Sequence, residues 1–104
     1  MKSKNLNEAA FQFSYEDLPP DYAYRYTLRH ILMEKMGKTA RLEMIEKLME
    51  KLNITKRALE FYIYAKKDSK LNIMSEEYLD ITAGVLGIDV AYLFAFPNDI
   101  KKAS

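Results

Sequence analysis

The sequence predicts an all-α protein, a compact bundle of about five helices preceded by an aromatic arm. Three observations carry that reading. Apolar residues recur at three- and four-residue intervals through most of the chain. Residues suited to helix caps stand where the periodic runs begin. Finally, 49% of the 104 residues are hydrophobic, which is enough for one core.

"DYAYRYTLRHILMEKMG" sets Tyr24, Leu28, Ile31, Leu32 and Met36 on one stripe and predicts a first helix over 21–36. Asp21 is its expected cap, after Pro19 and Pro20, and Gly37 its stop. His30 falls on the outer side of that helix. Tyr22, Tyr24 and Tyr26 also alternate with period two, as do Phe11, Phe13 and Tyr15 in "AFQFSY". That is a strand signal, and a hairpin around "EDLPPD" is the competing reading. Helix is preferred for 21–36, because Tyr22 and Tyr26 also merge into the helical stripe. Residues 10–15 are expected to form an arm that packs across the bundle or meets a partner.

A second helix should follow Thr39, with Leu42, Ile45, Leu48, Met49 and Leu52 inward. Asn53, which tolerates left-handed backbone best after glycine, stands where it must stop. The third helix is predicted over 55–67, capped by Thr55 and stapled through Ile54 onto Leu59. Ala58, Leu59 and Tyr62 form its core stripe, with Ile63 at the edge. After the loop "KKDSKLNI", Ser75 caps a fourth helix whose first turn holds Glu76 and Glu77, favourable charges at that end. Tyr78, Leu79, Thr82, Val85 and Leu86 face inward, and Gly87 ends it. Asp89 then starts a short fifth helix with Val90, Leu93 and Phe94, stopped by Pro97. The chain thus divides into an arm (1–20), a helical domain (21–96) and a tail (97–104).

Composition excludes several classes. There is no cysteine, and with His30 as the one histidine a zinc site would need carboxylates for its other ligands. Three glycines leave no room for a phosphate-cradling loop. Glu76 and Glu77 are adjacent on a helix and point apart, so helix-start charge explains them better than acid–base catalysis. No nucleophile–base pairing stands out, and the expectation is a non-enzyme without metal or cofactor. Met33, Met44 and Met74 read as core filling before adaptable binding surface. The start "MKSKNLNEAAFQF" lacks a signal-peptide core and no apolar run approaches 18 residues, so a cytoplasmic domain with no membrane role is expected.

The net charge of +1 conceals a division. Residues 29–74 hold 11 basic and 6 acidic side chains, whereas residues 75–104 hold 2 and 5. One face turned toward an anion would have this asymmetry. Its centre is the third helix, whose first turn carries Lys56 and Arg57. Each opposes the helix dipole by about 0.3–1 kcal/mol, a cost that needs a reason. Phe61 and Tyr64 lie off the core stripe, either exposed to a partner or covered by the arm.

"LMEKLNITKRALEFYIYAKK" followed by "LNIMSEEYLDITAGVLGIDVAYLF" resembles the helix-turn-helix of lambda-repressor-like (Cro-type, XRE family) DNA-binding domains, over about residues 24 to 96. Leu48, Leu52, Ile54 and Leu59 occupy the expected core positions. The chain departs from the family pattern at Ile45 and Met49, where glutamine and a small residue are common. It departs again at Asn53 and Ala65, where glycine is usual. The resemblance implies that the start of the third helix enters the major groove of double-stranded DNA. Lys56, Arg57 and Phe61 would then reach base edges, with Thr55 and Glu60 flanking. Lys38, Arg41, Lys66, Lys67 and Lys70 would hold the phosphate backbone. It further implies a transcriptional regulator of repressor or antitoxin type, acting as a homodimer through Tyr92 to Phe96 or through the arm. The other open reading is a helix-turn-helix-shaped module that binds a protein through its Phe/Tyr surface.

Overall fold

Apolar spacing builds four α-helices among the described residues: α1 (Leu28–Glu34), α2 (Lys38–Leu52), α3 (Lys56–Ile63) and α4 (Glu76–Leu86). Two single 3-10 turns, Tyr15–Asp17 and Val90–Leu93, complete the order. The computed structural model describes residues 15–96, so Phe11, Phe13, most of the arm and the tail from Pro97 lie outside the described residues. The result is compact, all-α and mostly helical. α2 packs against α1, α3 and α4, and α4 also holds the Val90–Leu93 turn. Leu28, Ile31, Leu32, Leu48, Leu52, Leu59, Ile63, Leu86 and Leu93 meet in one buried cluster. Fully burying each such side chain contributes about 1.5–3 kcal/mol.

The first helix is shorter than its periodicity predicts. It begins at Leu28, not Asp21, because the preceding backbone is bonded elsewhere. Arg25 N–H donates to the Ala65 carbonyl at 2.7 Å and Lys67 N–H to Ala23 at 2.9 Å. On the other side, Thr27 N–H donates to Leu93 at 2.8 Å and Ala95 N–H to Arg25 at 2.9 Å. A helix over 21–27 would need those same groups for itself. The period-two signal of the tyrosines was therefore the real one. Tyr24 pairs with Lys66 and Tyr26 with Phe94 as isolated antiparallel bridges, too short to make a strand.

His30 is not on an outer side: it is buried, with 6% of its surface exposed. The extended segment folds the Tyr22 ring over it, edge-on at 6.3 Å. Burial, then Lys35, pushes the imidazole below its ordinary pKa of 6.5; Arg29 adds to this, and Glu34 and Asp17 oppose it. The folded state thus takes up a proton less readily than the unfolded chain. This contribution to stability is whole above pH 6.5 and is lost as pH falls below it. Thermal unfolding across pH 7.5 to 5 is expected to show that loss, and His30→Gln should flatten it.

α2 starts at Lys38 with Gly37, in extended backbone, as its cap residue, so Gly37 opens this helix instead of closing the first. Only its C-terminal half is well buried. Leu42, expected inward, is 47% exposed because the first turns of α2 project beyond the core. Ile45, Met49 and Met44 are partly buried against the core, Met33 is of intermediate exposure, and Met74 is buried. Asn53 closes the helix in left-handed backbone at φ 57°, as its residue type predicts.

α3 holds the expected cap, the Thr55 hydroxyl accepting from Ala58 N–H at 3.1 Å. It ends at Ile63 instead of running to Lys67. The reason is the strap before α1, which draws Ala65 inward and pairs Lys66 with Tyr24. Ile63 is core and not edge, since it is buried beside Leu59. In α4 the Ser75 hydroxyl accepts from Tyr78 N–H at 3.1 Å, Glu76 and Glu77 sit in the first turn, and Gly87 ends it at φ 76°. Ala83 joins Thr82 and Leu86 as buried. The Asp89 carboxylate caps the last turn, accepting from Ala91 N–H at 2.9 Å, but that turn is 3-10 and not a fifth α-helix.

Candidate nucleic-acid interface

Three residues, Asn53 to Thr55, separate α2 from α3. That turn aims the start of α3 away from the core: Leu59 and Ile63 are buried, while Thr55, Lys56, Arg57, Glu60 and Phe61 are exposed. Arg57 and Phe61, one turn apart, share the outer face, with the guanidinium 5.9 Å from the ring centroid. Such a contact limits the swing of the cation without neutralising it. Phe61 is 50% exposed, which is unusual for phenylalanine. Among the described residues, this group forms one continuous polar and aromatic surface capped by a satisfied Thr55.

The expected backbone-holding cations come from other elements. Lys38 and Arg41 lie in the first turn of α2, beside an open groove of about 330 Å³ lined by Lys35, Met36, Gly37, Ala40, Glu43, Met44 and Lys47. Lys67 is laid over Phe96, its ammonium 4.5 Å from the ring centroid. Lys66 lies 5.1 Å over Tyr24. Lys70 is exposed in the following loop.

Sequence reasoning missed the cluster around Tyr24. Its ring is flanked by Lys66 and by Arg29, the latter at 5.4 Å. Tyr22 and Tyr64 meet it edge-on, at 5.5 and 5.8 Å. Tyr64 is the residue that closes α3, so the cluster sits about 12 Å along the helix from Lys56, at the opposite end. The alternating tyrosines carried the signal: read as extended backbone, Tyr22, Tyr24 and Tyr26 share one face, and Tyr22 and Tyr24 do meet there, while Tyr26 is the one that is buried. Burial raises the Tyr22 phenol to about 12, opposed by Arg29 among its neighbours, and raises Tyr26 likewise. Both phenols are therefore neutral hydrogen-bonding groups across the physiological range. Tyr22 donates to the Tyr26 carbonyl at 2.6 Å.

Among the described residues no group of His, Asp and Glu side chains has metal-binding spacing, and no helix is long and apolar enough to cross a membrane. The start of α3 presents hydrogen-bond donors, two cations and an aromatic edge. No protein-family model, curated protein or solved structure matches the chain.

Proposed function

We propose that the protein is a sequence-specific DNA-binding transcriptional regulator of repressor or antitoxin type, acting as a homodimer, with α2 and α3 as its helix-turn-helix. The observation that supports it is the exposed, capped start of α3, held on a buried Leu59–Ile63 face and carrying Lys56 and Arg57. Arg57 engages guanine O6 and N7, Lys56 a guanine or a phosphate, and Phe61 a thymine methyl. Lys38 and Arg41 contact phosphates, and Lys70, exposed in the following loop, adds positive charge without a fixed phosphate contact. Lys66 and Lys67 contribute charge from positions over aromatic rings.

Fluorescence anisotropy on a random-duplex pool and on the chain's own upstream DNA, at two salt concentrations, tests this reading. Affinity is expected to fall steeply with salt, and to prefer the upstream duplex. Lys56→Ala/Arg57→Ala should abolish that preference, since each good bidentate base contact discriminates by about 1–3 kcal/mol. Absence of binding even at low salt would sink the proposal. The half-exposed Phe61, with Tyr64 beyond it, would then favour the second reading, a protein-interaction module.

A further inference from the structure

Among the described residues, the loop between α3 and α4 carries the most exposed of the large apolar side chains. Leu71 is 71% exposed and Ile73 52%. Neither is at the tip of a slack segment, because the loop is tied at both ends. At the first end the Arg25 guanidinium donates to the Ser69 carbonyl, and the Ser69 hydroxyl accepts from Leu71 N–H at 3.0 Å. At the second end Met74 is buried, and its N–H donates to the Tyr26 hydroxyl at 2.7 Å. Met74 is turned inward while its neighbour Ile73 stays outside. Between the two apolar residues, Asn72 takes left-handed backbone at φ 60°, a bend in the chain between two exposed side chains. The display is therefore built by the fold.

Charge is ordered about this pair. Lys70 precedes it, and Glu76 and Glu77 follow it in the first turn of α4. All three are exposed. A segment that runs cation, apolar pair, anion is complementary to itself when a second copy lies across it the other way. A two-fold contact requires that self-complementarity.

We infer that residues 70–77 are a contact through which two copies of this chain pair about a two-fold axis. Leu71 and Ile73 of each copy pack on those of the other, and Lys70 faces Glu76 and Glu77 of the partner subunit. The patch is small beside the interface of a permanent dimer, so pairing is reversible and depends on concentration. On DNA with two half-sites, linked binding would reinforce it. The contact itself does not rest on the DNA-binding reading, although it supplies the homodimer that reading calls for.

Sedimentation equilibrium of the full chain without DNA, over a wide concentration range, tests it. The wild type is expected to show a reversible monomer–dimer equilibrium. Leu71→Ser, at an exposed position, should raise the dissociation constant by about tenfold or more. Lys70→Glu should weaken pairing, as should Glu76→Lys, and the two together should restore it. Circular dichroism checks that each variant is folded. A wild type that stays monomeric throughout, or a dimer indifferent to Leu71→Ser, overturns the inference. Failure of the double reversal to restore pairing overturns the two-fold arrangement. A wild type that binds DNA but never dimerises in its absence counts against this contact alone, whereas an intact dimer without DNA affinity counts against the proposed function alone.

Discussion

Leu59→Ala is expected to remove about 3 kcal/mol of stability, within the 2–5 kcal/mol range for a fully buried leucine. Leu59 has no exposed surface and shares one buried cluster with Leu48, Leu52, Ile63 and Leu86. α3 is only 8 residues long, far below the length at which an isolated helix holds in water. Its existence therefore depends on packing, and Leu59 and Ile63 supply the buried part. The loss should appear as a lower urea midpoint with little change in slope. It should also free Lys56 and Arg57 from their fixed direction, so specific DNA affinity would fall even where the variant remains folded. A loss of less than about 1 kcal/mol would show that the site collapses around the cavity and that α3 is held by something other than this face.

Tyr26→Phe is the second large effect. Only one oxygen is removed, yet it accepts from the buried Met74 N–H at 2.7 Å. Phenylalanine leaves that donor without a partner, at a cost of about 1–3 kcal/mol. The ring itself keeps its place, 5.9 Å from Phe94. Thermal denaturation should report the destabilisation, and hydrogen exchange should find the Met74 amide opening more often than its neighbours in α4. Unchanged exchange there would show that the amide finds another acceptor. Because Met74 anchors one end of the loop, the variant should also loosen Leu71 and Ile73 and weaken pairing of two copies.

Local chemistry made much of this fold legible in advance. Thr55, Ser75 and Asp89 cap the elements they were expected to cap, and Asn53 and Gly87 adopt the left-handed backbone their types favour. Each of those outcomes is decided within a few residues. The errors have a common origin in contacts between distant parts of the chain. The stripe through Tyr24 and Leu28 fits a helix, but backbone groups near residues 65 and 94 claim residues 23–27 first. That rearrangement buries His30 beneath Tyr22, ends α3 at Ile63 and gathers Arg29, Lys66 and Tyr64 around Tyr24. Leu42 was misplaced because periodicity shows which face of a helix is apolar, and not how far the neighbouring helices extend along it. At the candidate interface, the helical stripe alone kept Lys56, Arg57 and Phe61 off the core, but it left open whether the arm covers Phe61, which the structure shows half-exposed. Lys66 and Lys67 lying on aromatic rings did not, since their partners are remote in sequence.

The hydrogen bonds of residues 23–27 have a consequence for how the chain reaches its final form. This short length of backbone sits between two others, bonded to 65–67 on one side and to 93–95 on the other. Helices can close on their neighbours early, because their contacts are local. The central length must wait, since both flanks arrive from far along the chain and each closure costs entropy that grows with the loop enclosed. Once seated, it joins the beginning, middle and end of the domain in a single layer of mutual bonds. No one flank can then leave without breaking backbone bonds that help to hold the central length for the other. A domain of four short helices thereby acquires an all-or-none character that its helices alone would not give it.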